Sequence, residues 1–335
     1  MLSLYFTAPG QVSIREEELP ELAPGQVLVQ TLLSAISPGT EMLVYRGQFP
    51  QGLALDESIT ALAGEFHYPL KYGYAIVGKV IEVAADSERS WLNRLVFAFH
   101  PHESHFVSAP EELLPLLDGI SFEDSVFLPS METAVNFVMD GKPLIGERVA
   151  VLGQGIVGLL TTSLLAQFPL EALITLDHFP IRRKASLELG AHRSLDPSEA
   201  SIQTQLHDYL PGGADLVFEL SGSPDALDEA IALAGFGGRV VVGSWYGQKR
   251  ANLDLGGRFH RNRLHMVSSQ VSTLAPELSG RWTKGRRFGV AWESLRKVKP
   301  ARFITQRFPI QQAAQAYQLL NQNPDRAIQV VLVYE

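Results

Sequence analysis

A short apolar run, Arg148-Val149-Ala150-Val151-Leu152, leads straight into Gly153-Gln154-Gly155-Ile156-Val157-Gly158. An apolar stretch of helical character follows from Leu159 to Phe168, and a second strand-like run from Ala172 to Leu176 ends on Asp177. Few folds accept this order of parts. Strand, glycine turn, helix and second strand make a βαβ unit in which each glycine has its own task. Gly153 permits the tight turn, Gly155 lets backbone approach a pyrophosphate, and Gly158 lets helix and strand pack closely. The predicted cradle is a dinucleotide site, with phosphates at the helix N-terminus beside Gln154, Ile156 and Val157. Asp177, 24 residues after Gly153, is placed to accept hydrogen bonds from ribose hydroxyls. Its charge would repel a 2′-phosphate, which favours NAD over NADP. Arg182 and Arg183 follow closely; they are expected to begin the next helix along the adenine edge or solvent face, and their charge is the one feature able to offset Asp177.

Composition narrows the class. The chain has 335 residues, 46% hydrophobic, enough for two domains with full cores. A net charge of −8 gives no sign of a nucleic-acid or anionic-membrane partner. No secretory leader is read at the start, and no apolar run reaches the ~18 residues of a membrane span. Cysteine is absent, which excludes disulfides and thiolate metal sites and fits a cytoplasmic protein.

Three stretches are expected. Residues 1–129 carry short alternating runs, Gln26–Leu33, Ala75–Val83 and Arg94–Phe99, with turns at Pro24-Gly25 and Pro38-Gly39, and read as a β domain. Residues 130–269 alternate strand and helix, with strands at Val149–Leu152, Leu173–Leu176, Leu216–Leu220 and Arg239–Val242, and predict a doubly wound parallel sheet. Residues 270–335 hold a helix at Ile310–Asn321 and a last strand, Gln329–Tyr334, which should return to the first domain.

This layout, with the motifs Leu22-Ala-Pro-Gly-Gln-Val-Leu-Val29, Ser37-Pro-Gly-Thr-Glu41, Gly73-Tyr-Ala-Ile-Val-Gly-Lys-Val80, Gly213–Gly222 and Gly237–Gly243, resembles the medium-chain dehydrogenases/reductases, the zinc alcohol dehydrogenase superfamily. The resemblance implies an α/β protein with a GroES-like β domain and a Rossmann domain. It also implies that Thr133 packs on the nicotinamide, that Ser221 and Gly243 line the cofactor, and that Thr40 occupies the hydroxyl-relay position. Departures from the pattern are as informative. Pro38 stands at the first zinc-ligand position, Tyr74 and Ala75 replace the His-Glu of the family's Gly-His-Glu, and the third ligand position falls near Pro129. The lobe that would carry a second, structural zinc is missing. The reading is therefore no metal, with Tyr74 standing almost where the metal would be, either polarising a carbonyl or filling the vacated volume.

Two clusters have a plain explanation beside a functional one. His100-Pro-His102-Glu-Ser-His105 reads as a cleft-rim loop whose imidazoles, His102 foremost, contact substrate or water, in preference to a metal site. Arg258, His260, Arg261, Arg263, His265, Arg281, Lys284, Arg286 and Arg287 read first as solvated helix faces, and otherwise as a lip for an anionic substrate. Trp245 and Tyr246 are placed near the cleft or in the core. Within the superfamily, Ser34–Glu41, Tyr68–Ala75 and Phe97–Phe106 look most like a branch that includes bacteriochlorophyllide hydroxyethyl dehydrogenases. The expected activity is zinc-independent, NAD(H)-dependent interconversion of a secondary alcohol and a ketone, with Thr40, Tyr74 and His102 as candidate catalytic residues. The alternatives are a quinone or enone reductase using NAD(P)H, and a nucleotide-binding relative without turnover. The resemblance also implies a homodimer joined at the edge strand His265–Val271, which would cover an exposed sheet edge.

Overall fold

The computed structural model describes residues 1–50, 52–56 and 58–334. The chain forms two compact units, one built from Met1–Pro129 and Leu295–Glu335, the other from Ser130–Ser294. Residues 270–294 thus belong with the nucleotide-type unit, and the return to the first unit begins at Leu295. The segment was misplaced because its helix, Lys284–Val298, carries a charged face with no sheet signal beside it, while its anchor, Arg287, bonds residues far away in sequence.

In chain order the first unit contributes β1 (Leu2–Ala8), β2 (Gln11–Glu16), β3 (Val27–Ala35), β4 (Ile76–Val83), β5 (Leu95–Ala98), β6 (His105–Ser108) and β7 (Leu114–Pro115). The second contributes β8 (Arg148–Leu152), β9 (Ala172–Leu176), β10 (Arg193–Leu195), β11 (Ala214–Glu219), β12 (Ala234–Val242) and β13 (His265–Ser268). The chain then closes with β14 (Ile304–Pro309) and β15 (Gln329–Val333).

In the first unit β1 and β2 form an antiparallel hairpin, and the main sheet runs β14-β15-β3-β4-β5-β7 with β6 also paired to β3. The last strand does come home: β15 lies antiparallel to β3, with Leu332 opposite Ser34. Alternation along these strands sends Val27, Val29, Ile76, Val80, Val96 and Phe106 into one core. A second core gathers Leu4, Phe6, Ile36, Tyr45, Tyr72 and Tyr317, so that residues from both chain ends and from the Thr40–Tyr45 helix meet.

The second unit is a six-stranded sheet in the order β10-β9-β8-β11-β12-β13, with each neighbouring pair parallel. This is the 3-2-1-4-5-6 order of a Rossmann fold. Its central strands are continuous apolar runs because neither face meets water: Val149, Ala150, Val151, Leu216, Val217 and Phe218 have no exposed surface. The order reverses between β8 and β11, and at that switch point the glycine turn leaves β8. Among the described residues no helix is long and apolar enough to cross a membrane.

Candidate active site: a nucleotide cradle and a buried polar centre

The cradle of the second unit is built by close approach. A Cβ at Gly158 would sit 2.0 Å from the Gly153 carbonyl oxygen, so only glycine lets the helix Ile156–Leu165 lie this near the turn. Gly153 itself has φ +89 and backs onto Ser221. Gly155 differs, since a Cβ there would meet nothing within 4 Å. Space over Gly155 is open, and Gly155 is the residue that caps the helix N-terminus. The first helical bond runs from Leu159 N–H to the Gly155 carbonyl, which leaves the N–H groups of Ile156, Val157 and Gly158 ahead of the ladder, and no side chain caps this end. A diphosphate would find donors and the positive end of the helix dipole there.

Asp177 directly follows β9, with only 7% of its surface exposed. Its Oδ2 accepts the Gln154 N–H at 2.7 Å and its Oδ1 the Phe179 N–H at 2.8 Å, which locks the carboxylate beside the glycine turn. Each oxygen keeps a further lone pair for a ribose hydroxyl. Arg182 stands 3.9 Å from Asp177 and stacks over Phe179, while Arg183 bonds the carbonyls of Asp177 and His178 and the carboxylate of Asp196. Gln154 is fully buried, its amide held by Thr162 and the Gly153 carbonyl, and it supports the turn from within. At the ends of β11 and β12, Ser221 donates to buried Glu219, Ser244 receives the Gly222 N–H, and a Cβ on Gly243 would strike Phe137 and Leu220. Tyr246 also bonds Glu219; burial raises its phenol first, and the Glu219 carboxylate adds to the rise. Trp245 is 42% exposed. Thr133 sits, partly buried, on the helix Leu128–Gly141 of this unit. These residues fit a dinucleotide.

The first unit holds a polar centre that spacing did not reveal. Glu41, in the helix Thr40–Tyr45, has no exposed surface. Its Oε1 accepts the Ser37 N–H at 2.8 Å; its Oε2 accepts the Tyr317 hydroxyl at 2.7 Å and lies 2.9 Å from His102 Nε2. On the other side of the imidazole, Nδ1 lies 2.7 Å from Ser34 Oγ, which is 2.7 Å from the Tyr334 hydroxyl. With Glu41 as a carboxylate, Oε2 can only accept, so His102 carries its proton on Nε2. Gly73 makes room for the ring, since a Cβ there would stand 2.7 Å from His102 Cδ2.

Beside this centre, partly buried Tyr74 bonds the side chains of Ser37 and Thr40. Burial pushes its phenol up to about 12, the Glu41 carboxylate adds to the rise, and the two hydrogen bonds draw it back. The structure therefore brings Thr40 and Tyr74 together. It puts His102 elsewhere than the expected rim: with 0% exposure, its two ring nitrogens are engaged by Ser34 and Glu41. Nor do the three histidines converge. His100 stacks on Phe106 at 4.1 Å and faces Glu103, and His105 bonds Ser104. Among the described residues no group of three or more His, Asp or Glu could hold a metal. The three positions that the superfamily pattern gives to catalytic zinc offer two prolines, Pro38 and Pro129, and a phenol already bonded to two hydroxyls. Zinc asks for thiolate, imidazole or carboxylate, and this set does not fit it.

The basic cluster also divides. Arg287 is fully buried, clamped on Glu132 at 2.8 Å and bonded to Asn136 and to the carbonyls of Thr273 and Val271, so it is not part of a substrate lip. Arg286 lies over Trp282, and Arg258 bonds the Ala232 carbonyl.

The comparisons with known proteins agree with this architecture. The zinc-binding dehydrogenase family model matches residues 157–284. The D-guloside 3-dehydrogenase of Escherichia coli K12 is 24% identical, covering 88% of this chain and 88% of its own. The (R,R)-butanediol dehydrogenase of Bacillus subtilis 168 is 28% identical over 69% of this chain and 73% of its own. Among solved structures, an alcohol dehydrogenase of Escherichia coli CFT073 in complex with NADH superposes with a TM-score of 0.78 at 20% identity, covering 99% of each chain. With a Rossmann unit, a β unit that takes back the chain's end, and relatives of this kind along most of its length, the chain is similar to the medium-chain dehydrogenases/reductases.

Proposed function

We propose that the chain is an NAD(H)-dependent dehydrogenase that interconverts a secondary alcohol and a ketone, with Tyr74 rather than a metal ion managing the proton of the substrate oxygen. The observation that carries this reading is the Tyr74 phenol, bonded to Ser37 and Thr40 at a position where the pattern of the superfamily has a zinc ligand. The two curated relatives named above are, by name, dehydrogenases of a sugar derivative and of a diol, which supports a secondary alcohol as substrate.

Bound NADH would supply the hydride to the carbonyl carbon, and NAD would take it back in the reverse direction. The chain's own contribution is binding and proton handling. Asp177 fixes the ribose end and rejects a 2′-phosphate by charge; the helix N-terminus after Gly155 holds the diphosphate. A phenol held at about 12 stays protonated at neutral pH, so Tyr74 can hydrogen-bond a carbonyl oxygen and deliver a proton as negative charge develops there. Thr40 and Ser37 orient that hydroxyl. In this scheme no step needs a Lewis acid.

Tyr74→Phe tests the assignment, because Phe keeps the shape and removes only the hydroxyl. Turnover should fall ~10²–10⁴-fold, the usual cost of a lost proton donor, while NADH affinity stays near the native value. A native rate in Tyr74→Phe would end Tyr74's role as donor. The reading extends to assembly: β13 is an edge of the sheet, with Met266 38% exposed on it and Phe236 76% exposed on neighbouring β12, which supports pairing with a second copy across that edge.

A further inference from the structure

We propose that Glu41 and His102 are positioning residues: a buried pair that holds the loop carrying Ser37 and Thr40, and through it the Tyr74 hydroxyl, in the geometry for proton transfer. This rests on the role given to Tyr74 above.

Glu41 reaches back four residues to the Ser37 N–H and closes the turn Ser37-Pro38-Gly39-Thr40. Both hydroxyls that bond Tyr74 belong to that turn. Whatever fixes the Glu41 carboxylate therefore fixes the partners of the phenol. Two side chains fix it, His102 from the segment before β6 and Tyr317 from the helix Ala313–Gln322, each bonded to Oε2 and each fully buried. The imidazole is in turn anchored by Ser34 on β3, whose hydroxyl pairs with that of Tyr334 after β15. The chain of bonds thus runs from the sheet, through His102 and Glu41, to the turn and to Tyr74.

A carboxylate without water is costly unless every bond it needs is made, and Glu41 receives three donors with no Lys or Arg among them. A side chain needed only to fill space there would be served by an apolar residue of similar volume. The groups that face Glu41 are His102, Tyr317, Tyr72, Tyr74 and Tyr334; those that face Tyr74 are Glu41, Asp56 and Tyr72. Glu41 is the anion nearest the phenol's own turn. Losing it should lower the pH at which Tyr74 ionises, because a negative neighbour opposes formation of phenolate.

The test compares His102→Leu, His102→Gln and Glu41→Gln with Tyr74→Phe. Turnover is measured on the best substrate from a panel of butane-2,3-diol, sorbitol and threonine. Gln at 102 can offer an N–H to Glu41 and an oxygen to Ser34, whereas Leu can offer neither. His102→Leu should lower kcat by about 10- to 100-fold, the scale of a misplaced catalytic group, with KM for NAD unchanged, and His102→Gln should recover most of that loss. In Glu41→Gln, kcat should fall similarly and the alkaline limb of the pH profile should move to lower pH. Equal rates in the Leu and Gln variants at position 102, or a loss confined to KM, would overturn the inference. Should His102→Leu fail to fold, Tyr317→Phe removes one donor to Glu41 and keeps the ring; it should lower kcat in the same manner, and a native kcat would overturn the inference. A slow Tyr74→Phe beside a native-like Glu41→Gln refutes the positioning role alone. A native-like Tyr74→Phe, or no turnover of any panel member, refutes it together with the reading beneath it.

Discussion

His102 Nε2 lies 2.9 Å from Glu41 Oε2, and neither side chain has any exposed surface. The pair binds two segments 61 residues apart, and Tyr317, 276 residues from Glu41, completes it. A centre of this kind sets its own orientation. Glu41, His102 and Tyr317 are all fully buried and hydrogen-bonded, so the fold itself holds the turn that carries Thr40.

The two glycines of the cradle should separate folding from binding. Gly155→Ala places a methyl in open space and should leave the melting temperature within a few degrees of native, while NADH affinity drops by about tenfold or more, some 1.4 kcal/mol. Gly158→Ala drives a methyl into the Gly153 carbonyl and should cost about 1–3 kcal/mol of stability as well. Calorimetric melting and fluorescence titration of NADH check both. Equal destabilisation by the two would mean that Gly155 is a packing residue and not an approach site.

Asp177→Ala removes an acceptor for the ribose and the charge that rejects a 2′-phosphate. NADH should bind more weakly, and the ratio of NADPH to NADH affinity should rise by roughly tenfold or more, as expected when a repulsive element is lost. Competitive titration of the two cofactors reads this directly. Native protein that binds NADPH as tightly as NADH would contradict the role of Asp177.

How much of this was written in the sequence depends on how local each feature is. The cradle was legible because its turn, helix, strand and acid fall within 30 consecutive residues, and each glycine serves a contact made inside that span. Strands such as Val27–Ala35 and Ile76–Val83 followed from alternation, and the return of Gln329–Val333 followed from an apolar strand left without a partner nearby. The polar centre was not legible, because nothing near His102 in sequence distinguishes it from His100 or His105. Its fate is decided by Gly73, Ser34 and Glu41, which the sheet brings to it. Arg287 was misread for the same reason, since a charge on a helix shows no sign of the buried Glu132 it meets 155 residues away. The hairpin Leu2–Glu16 was missed because its polar outer residues blur the alternation.

Acid should remove a stabilising contribution of Glu17 to the first unit. Burial alone would raise its carboxyl, but bonds from Lys71, Ser3 and Tyr5 bring it down to about 2. A folded value below the ordinary 4.5 means the carboxylate favours the folded state above that pH, and the contribution is lost as pH falls from about 4.5 towards 2. Glu17→Gln should lower stability at pH 7 and flatten its decline across that window, as measured by urea unfolding at each pH. A variant curve parallel to the native one would show that Glu17 contributes nothing there.

Assembly can be read by sedimentation. A dimer across β13 should form at micromolar concentration, and Met266→Lys, on an exposed edge position, should shift it towards monomer without altering the fold. Native protein that sediments only as a monomer would contradict this placement of the interface.

Hydride transfer without a metal ion is tested by NADH production from NAD and the alcohol panel, using protein whose zinc content has been quantified, before and after exhaustive treatment with a chelator. Turnover is expected at well under one zinc per chain, with the same rate after chelation. A rate that vanishes with the chelator and returns on adding stoichiometric zinc would contradict it.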